Sequence, residues 1–60
     1  MQMKVVWIGT RIVCLQNVDK SVEVSISLED GSWNKKEPPK MGQWVNVVWA
    51  MLSNKWILER

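Results

Sequence analysis

Residues 22–29, VEVSISLE, alternate apolar and polar side chains without a break. Successive residues of a strand point to opposite faces, so Val22, Val24, Ile26 and Leu28 line one side, and Glu23, Ser25, Ser27 and Glu29 the other. A segment of this kind is a strand with one face in a core and one in water. Asp30-Gly31 follows at once, and that dipeptide favours a type I′ hairpin turn, whose two central residues both need positive φ. A two-residue loop sets Glu29 opposite Ser32 and Leu28 opposite Trp33, which puts the Trp33 indole on the buried side.

The rest of the chain reads the same way. β-Branched residues and tryptophan dominate the apolar set, and no segment carries a capped helical repeat, so the fold class is all-β. Residues 3–15 form one run, long for a straight strand, and Gly9-Thr10 in its middle predicts a bend or bulge. Asn17 and Asp19 mark a turn at residues 16–21. Residues 35–42 are a loop, because Pro38 and Pro39 cannot donate to a sheet ladder. Residues 43–52 and 55–60 then form a second hairpin across Ser53-Asn54, with Asn54 able to take the left-handed conformation. That loop pairs Met51 with Trp56, Ala50 with Ile57 and Trp49 with Leu58. One face of the hairpin carries Val45, Val47, Trp49, Met51, Trp56 and Leu58; the other carries Trp44, Asn46, Val48, Ala50 and Ile57.

Five β segments in 60 residues, the first long and bent and the last two a C-terminal hairpin, predict a single small barrel spanning residues 1–60. VEVSISLEDGSW, a Pro-rich loop and then MGQWVNVVWAMLSNKWILER resemble the hairpin, loop and final hairpin of small SH3-like and OB-like barrels. The resemblance implies a fold and no activity, because these barrels host many unrelated functions. The chain has no tyrosine and no phenylalanine, so neither the binding residues of peptide-binding SH3 domains nor those of cold-shock barrels carry over.

A domain of this length buries only about 60% of the surface of its unfolded chain and needs extra support. Cys14 is the only cysteine and histidine is absent, which rules out an internal disulfide and leaves too few ligands for a zinc site. No cofactor or metal is expected. The same shortage argues against catalysis: Cys14 has no His to activate it, the six carboxylates are scattered, and the three glycines form no phosphate loop. A non-enzymatic module with no small-molecule substrate is the expectation. No apolar run reaches the roughly 18 residues needed to cross a bilayer, and residues 1–5 do not look like a signal peptide. The location expected is therefore cytoplasmic, either host cytoplasm or virion-associated if a phage encodes the chain. The expected setting is a phage or mobile-element accessory or inhibitor protein.

Five tryptophans are too many for the interior of so small a barrel, since each buries about 150–250 Å². The strand phases send Trp33, Trp49 and Trp56 inward; Trp7 and Trp44 are the hardest to bury. Exposed indoles serve two kinds of partner. Tryptophan anchors protein interfaces, including those of homo-oligomers, and the second face of the last hairpin offers Trp44, Asn46, Val48 and Ile57, with Trp7 nearby. Indoles also stack on the bases of single-stranded DNA or RNA, with Lys4, Arg11, Lys35, Lys36, Lys40 and Lys55 available for phosphates beside Trp44. A net charge of +2, with Glu37 inside the lysine cluster and Glu29 and Asp30 close by, is a weak phosphate footprint, and the sequence favours the protein interface.

Overall fold

The computed structural model describes residues 1–59. Residues 3–15 do not form one bent strand; they reverse direction. β1 (Gln2–Ile8) and β2 (Ile12–Asn17) pair antiparallel, from Met3 opposite Asn17 to Ile8 opposite Val13. Gly9 N–H donates to the carbonyl of Ile12 at 2.8 Å and closes the turn. A Cβ at position 9 would lie 2.6 Å from Cη2 of Trp7, so glycine is what lets the indole fold over this turn. The ladder slips between Val5 and Trp7, leaving Val6 as an extra residue. Because side chains alternate with period two, this bulge turns Trp7 outward, opposite Cys14, and sets Ile8, still exposed at the strand's end, opposite Val13.

β3 (Glu23–Ser27) pairs with β2, with Val24 opposite Leu15 and Ile26 opposite Val13, so the alternation of residues 22–29 holds over its central part. The hairpin expected after it does not form. Gly31 has the positive φ, 87°, that the turn chemistry predicts, but residues 28–34 leave the sheet. The reason is local competition: Asp30 Oδ1 accepts the N–H of Ser32 at 2.9 Å, and its Oδ2 meets Lys55 Nζ at 2.9 Å, so the carboxylate organises an open turn. Glu29 and Leu28 therefore have no strand partners in Ser32 and Trp33. The chain instead crosses from β3 toward the C-terminal strand. Trp33 N–H donates to Ser27 O at 3.3 Å, and Trp33 is buried as predicted, though by a different route. Its indole N–H donates to Glu37 O at 2.9 Å and ties down the Pro-rich loop.

β4 (Trp44–Ala50) and β5 (Lys55–Leu58) form the last hairpin, with Val48 opposite Ile57, Trp49 opposite Trp56 and Ala50 opposite Lys55. Its loop runs over residues 51–54 and is longer than the expected Ser53-Asn54 turn; Asn54 does take positive φ, 56°. The expected pairs, Met51 with Trp56, Ala50 with Ile57 and Trp49 with Leu58, are displaced by two residues. Two residues is one pleat, so the faces survive the error: Val45, Val47 and Leu58 are buried, and Trp44 and Asn46 point out. Met51, however, leaves the ladder for the loop. Trp49 has inward phase but lies at the open end of the core, 46% exposed, with its ring edge-to-face against Trp56 at 5.5 Å and 71°. Of the strand expected over residues 55–60, Arg60 lies outside the described residues.

The five strands make one antiparallel sheet in the order β3-β2-β1-β4-β5. Its inner face is the core, built on Met3, Val5, Val13, Leu15, Ile26, Val47 and Leu58, all almost completely buried. No strand ladder joins β3 to β5, so a closed barrel is not what the pairing describes, but the two rims touch. The crossing segment spans the gap between them. Leu58 N–H donates to Ser32 O at 3.0 Å, and Asn34 Nδ2 donates to Leu58 O at 2.9 Å.

Gly31→Val tests the turn that starts this crossing. The space at position 31 is open, so strain at positive φ is the sole cost, about 1–2 kcal/mol. In a domain of this size that is a drop in thermal midpoint of about 4–16 °C. A wild-type midpoint would show that the turn does not hold its positive φ.

Candidate functional site

The outer face of β1, β2 and β4 sets an exposed ring beside exposed charge. Lys4 lies between Gln16 on β2 and Trp44 on β4, because both ladders of β1 pair that residue. Trp44 is 46% exposed and forms a wall of two open clefts. The first, of about 210 Å³, is lined by Lys4, Val6, Gln16, Asn17, Val18 and Lys20 besides the indole. The second, of about 320 Å³, is lined by Lys35, Val45, Asn46 and Glu59. Small-ligand pockets enclose about 300–1,000 Å³; the first cleft is smaller than that, the second lies at the lower end, and both are open to solvent, which suits parts of an extended chain.

Several folding events converge here. The β1–β2 register brings the turn at residues 18–21 beside Lys4, and Lys20 caps that turn with φ of 63°. Asp19, next to it, accepts bonds from Ser21 Oγ at 2.6 Å and from Ser21 N–H at 3.0 Å. Those bonds hold its carboxyl below the ordinary range, so the negative charge persists but is turned toward Ser21. On the other side, Glu59 N–H donates to Asn46 O at 2.9 Å and extends the β4–β5 pairing by one step. This puts Glu59 across from Asn46, one row from Trp44.

The cations divide into two sets. Lys55 pairs with Asp30 at 2.9 Å, and Arg11 lies 3.9 Å from Glu29, both on the far side of the turn and crossing segment. These two, expected as phosphate contacts, are engaged by the carboxylates that made the charge pattern look weak. Lys4, Lys20 and Lys35 border Trp44 and make no ion pair among the described residues. Lys36 and Lys40 are exposed in the Pro-rich loop but line neither cleft. Lys20 and Glu59 are the site residues that sequence reasoning missed, and only strand register could have revealed them.

Of the five residues expected as a protein-binding patch, Trp44, Asn46 and Val48 share the outer phase of β4 with Ile57 opposite Val48, and Trp7 lies apart from them. Trp44 and Asn46 are exposed on the outer face. Val48 and Ile57 oppose each other on the same face and are half-buried. Trp7, 52% exposed, folds over Gly9 at the other end of β1 and lines neither cleft. A separate apolar cluster projects at the tip of the last hairpin, where Met51 and Leu52 are fully or almost fully exposed beside Trp49. Cys14 is partly buried on β2 with Ser25 Oγ 3.7 Å away. Among the described residues no three Asp, Glu, Cys or His side chains converge on a metal-sized site, and no helix is long and apolar enough to cross a membrane.

Asp30 is the most perturbed carboxyl. Ser32 lowers it most, through a hydroxyl that is close but makes no hydrogen bond of good geometry and through an N–H that does; the Lys55 ammonium adds to the effect. Asp30 is thus expected to titrate far below its ordinary value of 3.8. Since the folded value lies below the unfolded one, the carboxylate favours the fold above about pH 3.8, and that contribution is lost as the pH falls below it. Carboxyl NMR titration reads this directly, with Lys55→Met moving the midpoint upward; an ordinary midpoint in the wild type would remove Asp30 as an organiser of the turn.

No family model, curated protein or solved structure matches the chain.

Proposed function

We propose that this domain binds single-stranded nucleic acid across the outer face of β1 and β4, with Trp44 as the stacking platform and Lys4, Lys20 and Lys35 holding phosphates. The observation that carries this is the position of one half-exposed indole between two clefts whose lysines are unpaired among the described residues. Bases of any sequence can stack on such a ring, and a backbone that passes it meets cations on both sides. Glu29 and Asp30 lie against Arg11 and Lys55 and line neither cleft, so they do not offset Lys4 and Lys20 beside Trp44.

The proposal extends to the architecture. The sheet, with β1 between β2 and β4 and with β3 touching β5, suits OB-like connectivity, a partly open barrel that often serves oligonucleotides. In OB-like barrels the face of the second and third strands is the usual binding surface. Here β2 and β3 present Cys14, Gln16, Glu23 and Ser25 outward, and the indole sits on β4, so the proposed path is this chain's own.

Binding is expected to weaken with salt, with a slope of about −2 in log K against log salt if three phosphates are neutralised. Trp44→Ala is expected to reduce affinity about 5- to 150-fold, the equivalent of about 1–3 kcal/mol for one stacked base, with the fold intact. Tryptophan emission titrated with mixed-sequence oligonucleotides at low salt reads both. No binding to any oligonucleotide would sink the proposal.

A protein contact has separate support at the hairpin tip, where Met51 and Leu52 face solvent beside Trp49. Apolar side chains exposed together in a turn gain by self-association or by entering a partner's pocket. If the tip drives self-association, light scattering will show an oligomer that Leu52→Asp dissolves and Trp44→Ala leaves intact. A wild-type monomer at all concentrations would end the self-association reading.

A further inference from the structure

We propose that Trp7 is a second stacking platform, and that the site holds an extended single strand on two indoles with Lys4 and Val6 between them. This rests on the nucleic-acid proposal and sets the form of strand the face accepts, one drawn out with its bases unstacked from one another.

The β-bulge is what brings the second ring to this face. β2 buries Val13 and Leu15 and turns Cys14 and Gln16 outward, so the pairs of Lys4 with Gln16 and of Trp7 with Cys14 both belong to the outer face. Without the extra residue, period-two phase would send position 7 to the buried side with Met3 and Val5. A bulge sets two residues against one on the partner strand. Val6, the residue it adds, lines the cleft beside Lys4 and Trp44 and leads directly to Trp7. Ring, cation, apolar floor and ring thus follow in order along the outer face, and among the described residues no carboxylate lines the cleft between them.

Trp7 is also held in place before any strand arrives. Its Cη2 and Cζ3 atoms lie 2.6 and 2.7 Å from where a Cβ on residue 9 would be, so the ring rests against the Gly9 backbone while the residue stays half-exposed. A ring anchored in this way loses little freedom when a base covers it.

Spacing decides what can bridge the two platforms. Along β2, Cys14 stands two residues from Gln16, about 6.5 Å, and Trp44 is one strand over from Lys4, about 4.8 Å. The Cα atoms of Trp7 and Trp44 are therefore about 8 Å apart, and the Trp7 indole leans away over Gly9. Bases of a helical strand follow one another at about 3.4 Å, less than half of that. A duplex keeps this spacing and has its base faces covered, so it cannot occupy both rings. An extended strand places one base on each ring and its phosphates beside Lys4.

A labelled mixed-sequence strand of about 12 nucleotides, within the site sizes of small barrels, tests the second platform by fluorescence anisotropy at low salt. Trp7→Ala is expected to weaken binding about 5- to 150-fold, as one lost stacked base does, with the slope against salt unchanged because no phosphate contact is lost. Trp7→Phe keeps a ring and should retain most of the affinity. In the wild type, NMR should show the indole N–H resonances of both Trp7 and Trp44 shifting as the strand is added, a reading that does not depend on how well a variant folds. Wild-type affinity in Trp7→Ala, Trp7→Phe as weak as Trp7→Ala, or a shift at Trp44 without one at Trp7 would overturn the second platform and leave the nucleic-acid proposal standing. A duplex that shifts the Trp7 resonance as the single strand does would overturn the requirement for an unstacked strand. Binding of no oligonucleotide would overturn both proposals.

Discussion

The inner face of a single sheet has no second layer to cover it, and in this chain the rims β3 and β5 touch without pairing, with a crossing segment over the gap between them. That segment is centred on Ser32 and Trp33. Trp33 N–H bonds back to the end of β3, Ser32 O accepts from Leu58 in β5, and the Trp33 indole sits in the core between them. With no disulfide or zinc site possible within the chain, those few bonds and one large ring do what a cross-link does in other small domains. Other features depend on that contact between the rims. Lys55 reaches Asp30 because β5 is brought against the crossing segment, and the Pro-rich loop is anchored because Trp33 hands its indole N–H to Glu37.

Once the core is filled by one tryptophan and mostly aliphatic side chains, the remaining indoles are distributed by local backbone events. The bulge at Val6 sends Trp7 outward, and the phase of β4 does the same to Trp44. Trp49 and Trp56 stack against each other at the open end of the core, where inward phase no longer means burial. The rings thus fall into three separate settings, and Trp44 alone has unpaired lysines around it among the described residues.

Much of the fold was legible in the sequence. The alternation of residues 22–29 gave a strand, the prolines a loop, and Asn54 and Gly31 their positive φ. The burial of Trp33 and of the Val45, Val47 and Leu58 face followed from period-two phase, which tolerates a register error of two residues. The failures lay where a local signal has two outcomes. Gly9-Thr10 reads equally as a bend within a strand or a reversal between two, and Asp30-Gly31 serves a hairpin or an open turn, depending on what the Asp30 carboxylate meets. Lys55 is what it meets, and Lys55 is distant in the chain.

What the sequence determined by itself was therefore the class of fold and which side chains are available for a core. Those depend on residue type and on periodicity, both of which are local. Tertiary structure alone decided which charges cancel and which stay available beside Trp44. Coulomb attraction acts through space, so Glu29 and Asp30 neutralise whatever cation the fold brings to them, here Arg11 and Lys55, and not the lysines nearest in the chain. The character of the Trp44 surface follows from that pairing: a cationic cleft on one side and a hydrogen-bonding cleft on the other, set by strand register between residues far apart in sequence.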